Sequence, residues 1–89
     1  MSKNSKLVAR LRSRPKDFTW EELTSLLKHF AYHEKAGSGS SRKFINSITD
    51  HKLAFHKPHP ENVVKRYVID EVIATLIENG LIPEEEDQQ

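Results

Sequence analysis

The sequence predicts a small α+β fold: a three-stranded antiparallel sheet with helices on one face and the other face open. Three observations carry this. Two segments show apolar residues at helical spacing, around Trp20–Phe30 and Val68–Ile77. Between them lie three short β-prone segments joined by hairpin-sized connections. The order of segments, helix-helix-strand-strand-strand-helix, suits a two-layer arrangement around one core.

Each element has a local reason. Ser5 can cap a first short helix carrying Leu7, Val8 and Leu11, which Pro15 stops. Met1–Asn4 are polar and read as a frayed end. In "TWEELTSLLKHF" Thr19 and Glu22 form a capping-box pattern, and Trp20, Leu23, Leu26, Leu27 and Phe30 supply an apolar face. A helix is expected over about 20–30, with Trp20 in the core. Residues 31–36 read as a strand, "GSGS" as a turn, and "SRKFINSI" and "KLAFHK" as two more strands joined through "TDH". Alternation puts Phe44, Asn46 and Ile48 on one face of the second strand and Lys43, Ile45 and Ser47 on the other. Leu53 and Phe55 share the core side of the third, with Lys52, Ala54 and His56 opposite. "KPHPEN" holds two prolines and reads as a loop. The stripe Val68, Ile69, Val72, Ile73, Leu76 and Ile77 is a helix, ended by Gly80 and Pro83. Residues 1–83 read as one domain and 84–89 as a disordered acidic tail.

Composition narrows function. The 89 residues contain no cysteine, which excludes disulfides, thiolate metal sites and a cysteine nucleophile. No signal-peptide pattern or membrane-length apolar run occurs, so a cytoplasmic protein with no membrane partner is expected. The net charge is only +1, but four acids sit together at 84–87. Outside them 14 Lys/Arg face 9 Asp/Glu, a balance of +5, and residues 35–66 alone hold seven Lys/Arg against two acids. A basic section of this kind is a candidate phosphate surface, although an ordinary solvated face has similar charge.

The residues that bear chemistry gather in the same section. His56 ends the third strand and His59 follows across Lys57-Pro58. RNA carries its own nucleophile, the 2′-OH. Its cleavage needs a base, an acid and a cation, roles suited to two histidines and a Lys or Arg. The cationic candidates for holding phosphate are Arg42, Lys43, Lys52, Lys57, Lys65 and Arg66. Arg42 and Lys43 alternate, so at most one of them reaches the open sheet face. His33 can face that side too. His51 reads as a turn residue, and His29 as a helix C-terminal residue favoured by the dipole. His51, His56 and His59 with Asp50 lack regular zinc spacing, and no metal or other cofactor is expected. Ser41 has no nucleophile-elbow pattern around it.

This ordered set resembles the small toxins of HicA-type toxin–antitoxin pairs over about residues 18–82. The matching features are the helix "FTWEELTSLLKHF", Gly39-Ser40 before Arg42-Lys43-Phe44, His59-Pro60 after the third strand, and the last helix ending in "IENGLI". The resemblance implies a double-stranded-RNA-binding-domain-like fold. It also implies a metal-independent endoribonuclease acting on mRNA, silenced by a cognate HicB-like antitoxin. The family's catalytic histidine falls on Ser41, which cannot exchange protons near neutral pH. The resemblance therefore leaves three outcomes. The chain is a ribonuclease whose chemistry has moved to His56 or His59, an RNA-binding module without cleavage, or a protein-interaction domain.

Overall fold

The computed structural model describes residues 3–83, with side chains from Ser5 onward. Its elements run α1 (Lys3–Arg12), α2 (Trp20–His29), β1 (Tyr32–Ala36), β2 (Ser41–Asn46), β3 (Lys52–His56) and α3 (Arg66–Glu78). The three strands form one antiparallel sheet in the order β1-β2-β3, and the α+β order matches the expected one. The acidic run at 84–89 lies outside the described residues.

The core lies between one sheet face and the helices. Tyr32, Phe44, Leu53 and Phe55 project from the sheet onto Trp20, Leu23, Leu26 and Leu27 of α2 and Val68, Ile69, Val72, Ile73 and Leu76 of α3. Trp20 packs tilted against Phe44, with ring centroids 5.6 Å apart. Leu7 and Leu11 of α1, Phe18, Val64 and Ile82 complete a single apolar cluster. Alternation along the strands sends Lys43, Ile45, Lys52, Ala54 and His56 to the other face, as expected.

Three sequence expectations change. Lys3 and Asn4, read as part of a frayed end, open α1, while Met1 and Ser2 of that end lie outside the described residues. Ser5 does not cap α1, because the helix already begins at Lys3. Ile48 does not extend the core face of β2. The strand ends at Asn46, and Ile48 sits in the following turn, 82% exposed. Asn46 explains the early end. It is 2% exposed, donates from Nδ2 to the Phe30 carbonyl (2.9 Å), and accepts from the Ile48 and Thr49 amides (2.8 and 2.9 Å). One buried amide thus joins the α2–β1 corner to the β2–β3 turn. Asp50 completes that turn at positive φ, a conformation its short polar side chain tolerates.

The helix ends follow the local chemistry. The Thr19 hydroxyl accepts from the Glu22 amide (3.1 Å), and Glu22 Oε1 accepts from the Thr19 amide (2.9 Å), closing the capping box. Glu22 also binds Arg10 of α1 at 2.7 Å, tying the first two helices together. At the end of α3, Gly80 adopts φ 71°. The Leu81 amide returns to the Leu76 carbonyl (2.8 Å) and the Gly80 amide to Ile77 (3.0 Å), a Schellman closure. No helix among the described residues is long and apolar enough to cross a membrane.

Replacing Asn46 by Ala strands several buried backbone groups. It is expected to destabilise the fold by about 2–3 kcal/mol, against about 1 kcal/mol for Thr19→Ala. Urea unfolding of both variants checks the ranking, and equal losses would contradict the role given to Asn46. The Arg10 hydrogen bond, opposed by burial and aided by the Thr19 amide, holds the Glu22 carboxyl below its ordinary value of 4.5. A depressed carboxylate adds stability that is present above its unfolded value and lost as pH falls through its folded one. Stability should therefore fall below about pH 4.5, and Glu22→Gln should flatten that fall in pH-dependent thermal melts.

Candidate RNA-binding groove

The segments on either side of α2 and α3 do not behave as free linkers. Thr19 and Val63 form an antiparallel bridge. The Val64 amide donates to the Phe18 carbonyl (2.7 Å), and the Trp20 amide donates to the Asn62 carbonyl (3.1 Å). Phe18 and Val64 are both buried, and the Asn62 side chain bonds Glu21. These contacts hold the Pro-rich segment against the start of α2. It therefore leaves β3 at His56 and returns to α3 at Lys65 along a defined path. The His59–Pro60 peptide within it is cis.

A groove of 680 Å³ lies along this path. His56 and Lys57 line it from the end of β3, and His59 and Glu61 from the loop. Lys65, Arg66 and Tyr67 line it from the start of α3, and Arg14 and Lys16 from the segment after α1. Five Lys/Arg and one carboxylate therefore share the groove. Lys65 occupies the N-cap of α3 without a capping side-chain bond, and no acid stands in the first helical turn. The positive end of the helix dipole thus adds to the side-chain charge on this wall.

The two histidines predicted to bear chemistry both line this groove. The Ser40 hydroxyl lies 3.3 Å from His56 Nδ1, which orients the ring and leaves Nε2 without a protein partner among the described residues. The Lys57 amide donates to the Ser40 carbonyl (2.7 Å), so the "GSGS" turn and the exit of β3 are locked to each other. His59 is exposed and engages no side chain among the described residues. Ser41, the position aligned with the family histidine, stands directly across from His56 in the β2–β3 register. It is half-buried, and a side chain at Gly37 would meet its Cβ and Oγ at 3.3 Å.

Other candidates lie elsewhere. Arg42 points to the covered face. It pairs with Glu34 at 3.5 Å and donates to the Gly39 and Ser41 carbonyls, both at 2.8 Å, which commits its guanidinium to the turn. Lys43 and Lys52 lie on the open sheet face rather than in the groove. His51, at the far end of β3 from His56, packs edge-on against Tyr32, with Nδ1 3.1 Å from the phenol oxygen. Burial pushes that phenol above its ordinary value. Among the described residues no three His, Asp or Glu side chains gather as a metal-binding set. No family model, curated protein or solved structure matches the chain.

Sequence reading missed Arg14, Lys16 and Tyr67. Lys16 sits in a segment read as a linker. Tyr67 lies inside the apolar run of α3 but falls off its buried stripe and is 60% exposed. That off-stripe position was the available signal. Arg66 was found from sequence, but its shared partner Asp70 was not. Asp70 binds Arg14 at 2.7 Å and Arg66 at 3.5 Å, and the Arg14 bond holds its carboxyl below the usual range.

Lys57→Gln and Lys65→Gln are each expected to weaken binding of a heparin oligosaccharide two- to five-fold without moving the thermal midpoint. Arg42→Gln should do the reverse, lowering the midpoint and sparing the affinity. Calorimetric titration paired with thermal melts separates the two, and a large affinity loss in Arg42→Gln would contradict the assignment.

Proposed function

We propose that the protein is a HicA-like toxin: an RNA-binding endoribonuclease that cuts mRNA without a metal and is neutralised by a HicB-like antitoxin. The observation that carries this is the meeting of His56 and His59 in one groove with Lys57, Lys65 and Arg66. The chemistry needs no more than these groups. One histidine removes the proton from a ribose 2′-OH, which attacks the adjacent phosphorus. The other protonates the departing 5′-oxygen, leaving a 2′,3′-cyclic phosphate on one fragment. Lys57, Lys65 and Arg66 neutralise the extra negative charge as the phosphorus gains its fifth oxygen. Ser40 positions His56 through Nδ1. An acidic antitoxin surface would compete for the same cationic groove, which accounts for neutralisation by charge and occlusion together.

One observation favours a second reading. Ser41 stands where the resembling family carries its histidine, and a hydroxyl cannot take the proton-transfer role. On that reading the groove holds RNA and does not cut it.

The deciding experiment is a single-stranded RNA cleavage assay in EDTA. The first reading predicts cyclic-phosphate ends, with rates at least 100-fold lower in His56→Ala and in His59→Ala. Their RNA affinity should change far less. Salt-sensitive binding without cleavage selects the second reading, and a gain of cleavage in Ser41→His strengthens it. Absence of RNA affinity at low salt defeats both and leaves a protein-interaction domain.

A further inference from the structure

The open face of the sheet carries a cationic row of its own, outside the groove lining. Lys35, Lys43 and Lys52 all point outward and are exposed. Lys35 stands directly opposite Lys43, and Lys52 lies one diagonal step further across β3. Among the described residues of the strands, no carboxylate shares this face. The one acid in the strands, Glu34, lies on the other side and is paired with Arg42. Like charges placed directly opposite each other on a sheet are unfavourable. Lysines on edge strands can be explained as guards against strand addition. That explains Lys35 on β1 and Lys52 on β3. It does not explain Lys43, which is on the central strand.

An anionic occupant relieves this repulsion, and the rest of the face indicates its class. Protein interfaces are built around aromatic and apolar anchors and are depleted in lysine. Here the apolar side chains of the face are only half-buried Ile45 and the small, exposed Ala54. No Phe, Tyr or Trp points outward, and the two outward imidazoles, His33 and His56, lie on the edge strands, so the middle of the face is suited to a phosphate chain. It is also continuous with the groove, because His56 belongs to both: it ends the outward row of β3 and lines the groove. From His56 to Lys52 the strand runs about 13 Å, room for roughly two to four further nucleotides at the rise of one strand.

We infer that the open sheet face is a second RNA-binding segment, in which Lys35, Lys43 and Lys52 hold the phosphates of a single strand leaving the groove past His56. The inference rests on the groove being an RNA site. The contribution is independent of base sequence and is strongest for long RNA.

The test uses the full chain with single-stranded oligoribonucleotides of about 4 and about 12 nucleotides, between about 50 and 200 mM salt. The triple variant Lys35→Gln, Lys43→Gln, Lys52→Gln should bind the longer RNA at least ten-fold more weakly than the unmutated chain and the shorter RNA equally well. Its log affinity against log salt should be shallower by about 2, from about 0.7 per phosphate contact. The matching triple lysine-to-arginine variant should restore long-RNA binding, which excludes a folding defect. Equal affinity of the glutamine triple and the unmutated chain for the long RNA overturns the inference while leaving the groove reading intact. So does an equal loss for both lengths. A chain that binds neither RNA defeats the groove reading and this inference together.

Discussion

The site depends on a two-strand clamp made from segments that are neither helix nor sheet. Phe18–Trp20 and Asn62–Val64 run antiparallel and exchange two backbone hydrogen bonds across the Thr19–Val63 bridge. The clamp is held from both sides, because Phe18 and Val64 are buried in the same apolar cluster as α2 and α3. A proline-rich stretch has few amides of its own to satisfy and would otherwise sample many paths. Fixing its far end beside the start of α2 brings His59 toward the end of β3. It also turns the first turn of α3 toward the same space. Loss of the clamp would leave each functional group present and the groove unformed.

The sheet contributes through its two-residue period. Phe44 and Asn46 face the helices, which commits Lys43 and Ile45 to the outside. The same rule sends Arg42 inward, where its charge is consumed by Glu34 and two carbonyls of the turn. Adjacent cations therefore have opposite fates: Arg42 stabilises the hairpin, and Lys43 remains open to solvent. Asn46 secures this phase. Its side chain satisfies backbone groups from two separate segments at one end of the sheet, the entry to β1 and the β2–β3 turn, so a slip of one residue would bury a lysine and strand those groups together.

Ser41 opposite His56 gives the site its particular character. A histidine at position 41 would place two imidazoles across neighbouring strands. Serine there leaves His56 as the one imidazole on that pair of positions, with His59 approaching from the loop. On the proposed reading, acid–base chemistry on RNA runs between a strand end and a loop held by the clamp. The rigidity of that loop governs the geometry as much as the identity of its side chains.

Much of this was readable from local chemistry. The capping box at Thr19–Glu22, the stripe of α3, the glycine stop at Gly80 and the inward set Phe44, Leu53 and Phe55 follow from spacing and backbone preference, which act over a few residues. The basic section and the pairing of His56 with His59 in one short stretch were equally visible. Three features were not. The early end of β2, and with it the exposure of Ile48, depends on Asn46 finding partners at residue 30 and at residues 48–49. Membership of Arg14, Lys16 and Tyr67 in the groove depends on the packing of the α1–α2 segment against α3. The separation of Arg42 from the other phosphate candidates depends on Glu34 across the hairpin. By itself the sequence determined which segments are helix or strand and which side of each is apolar, because those properties are set by neighbours in the chain. Only the tertiary structure decided which charged and imidazole side chains share a surface, because that is set by contacts between residues far apart in the chain.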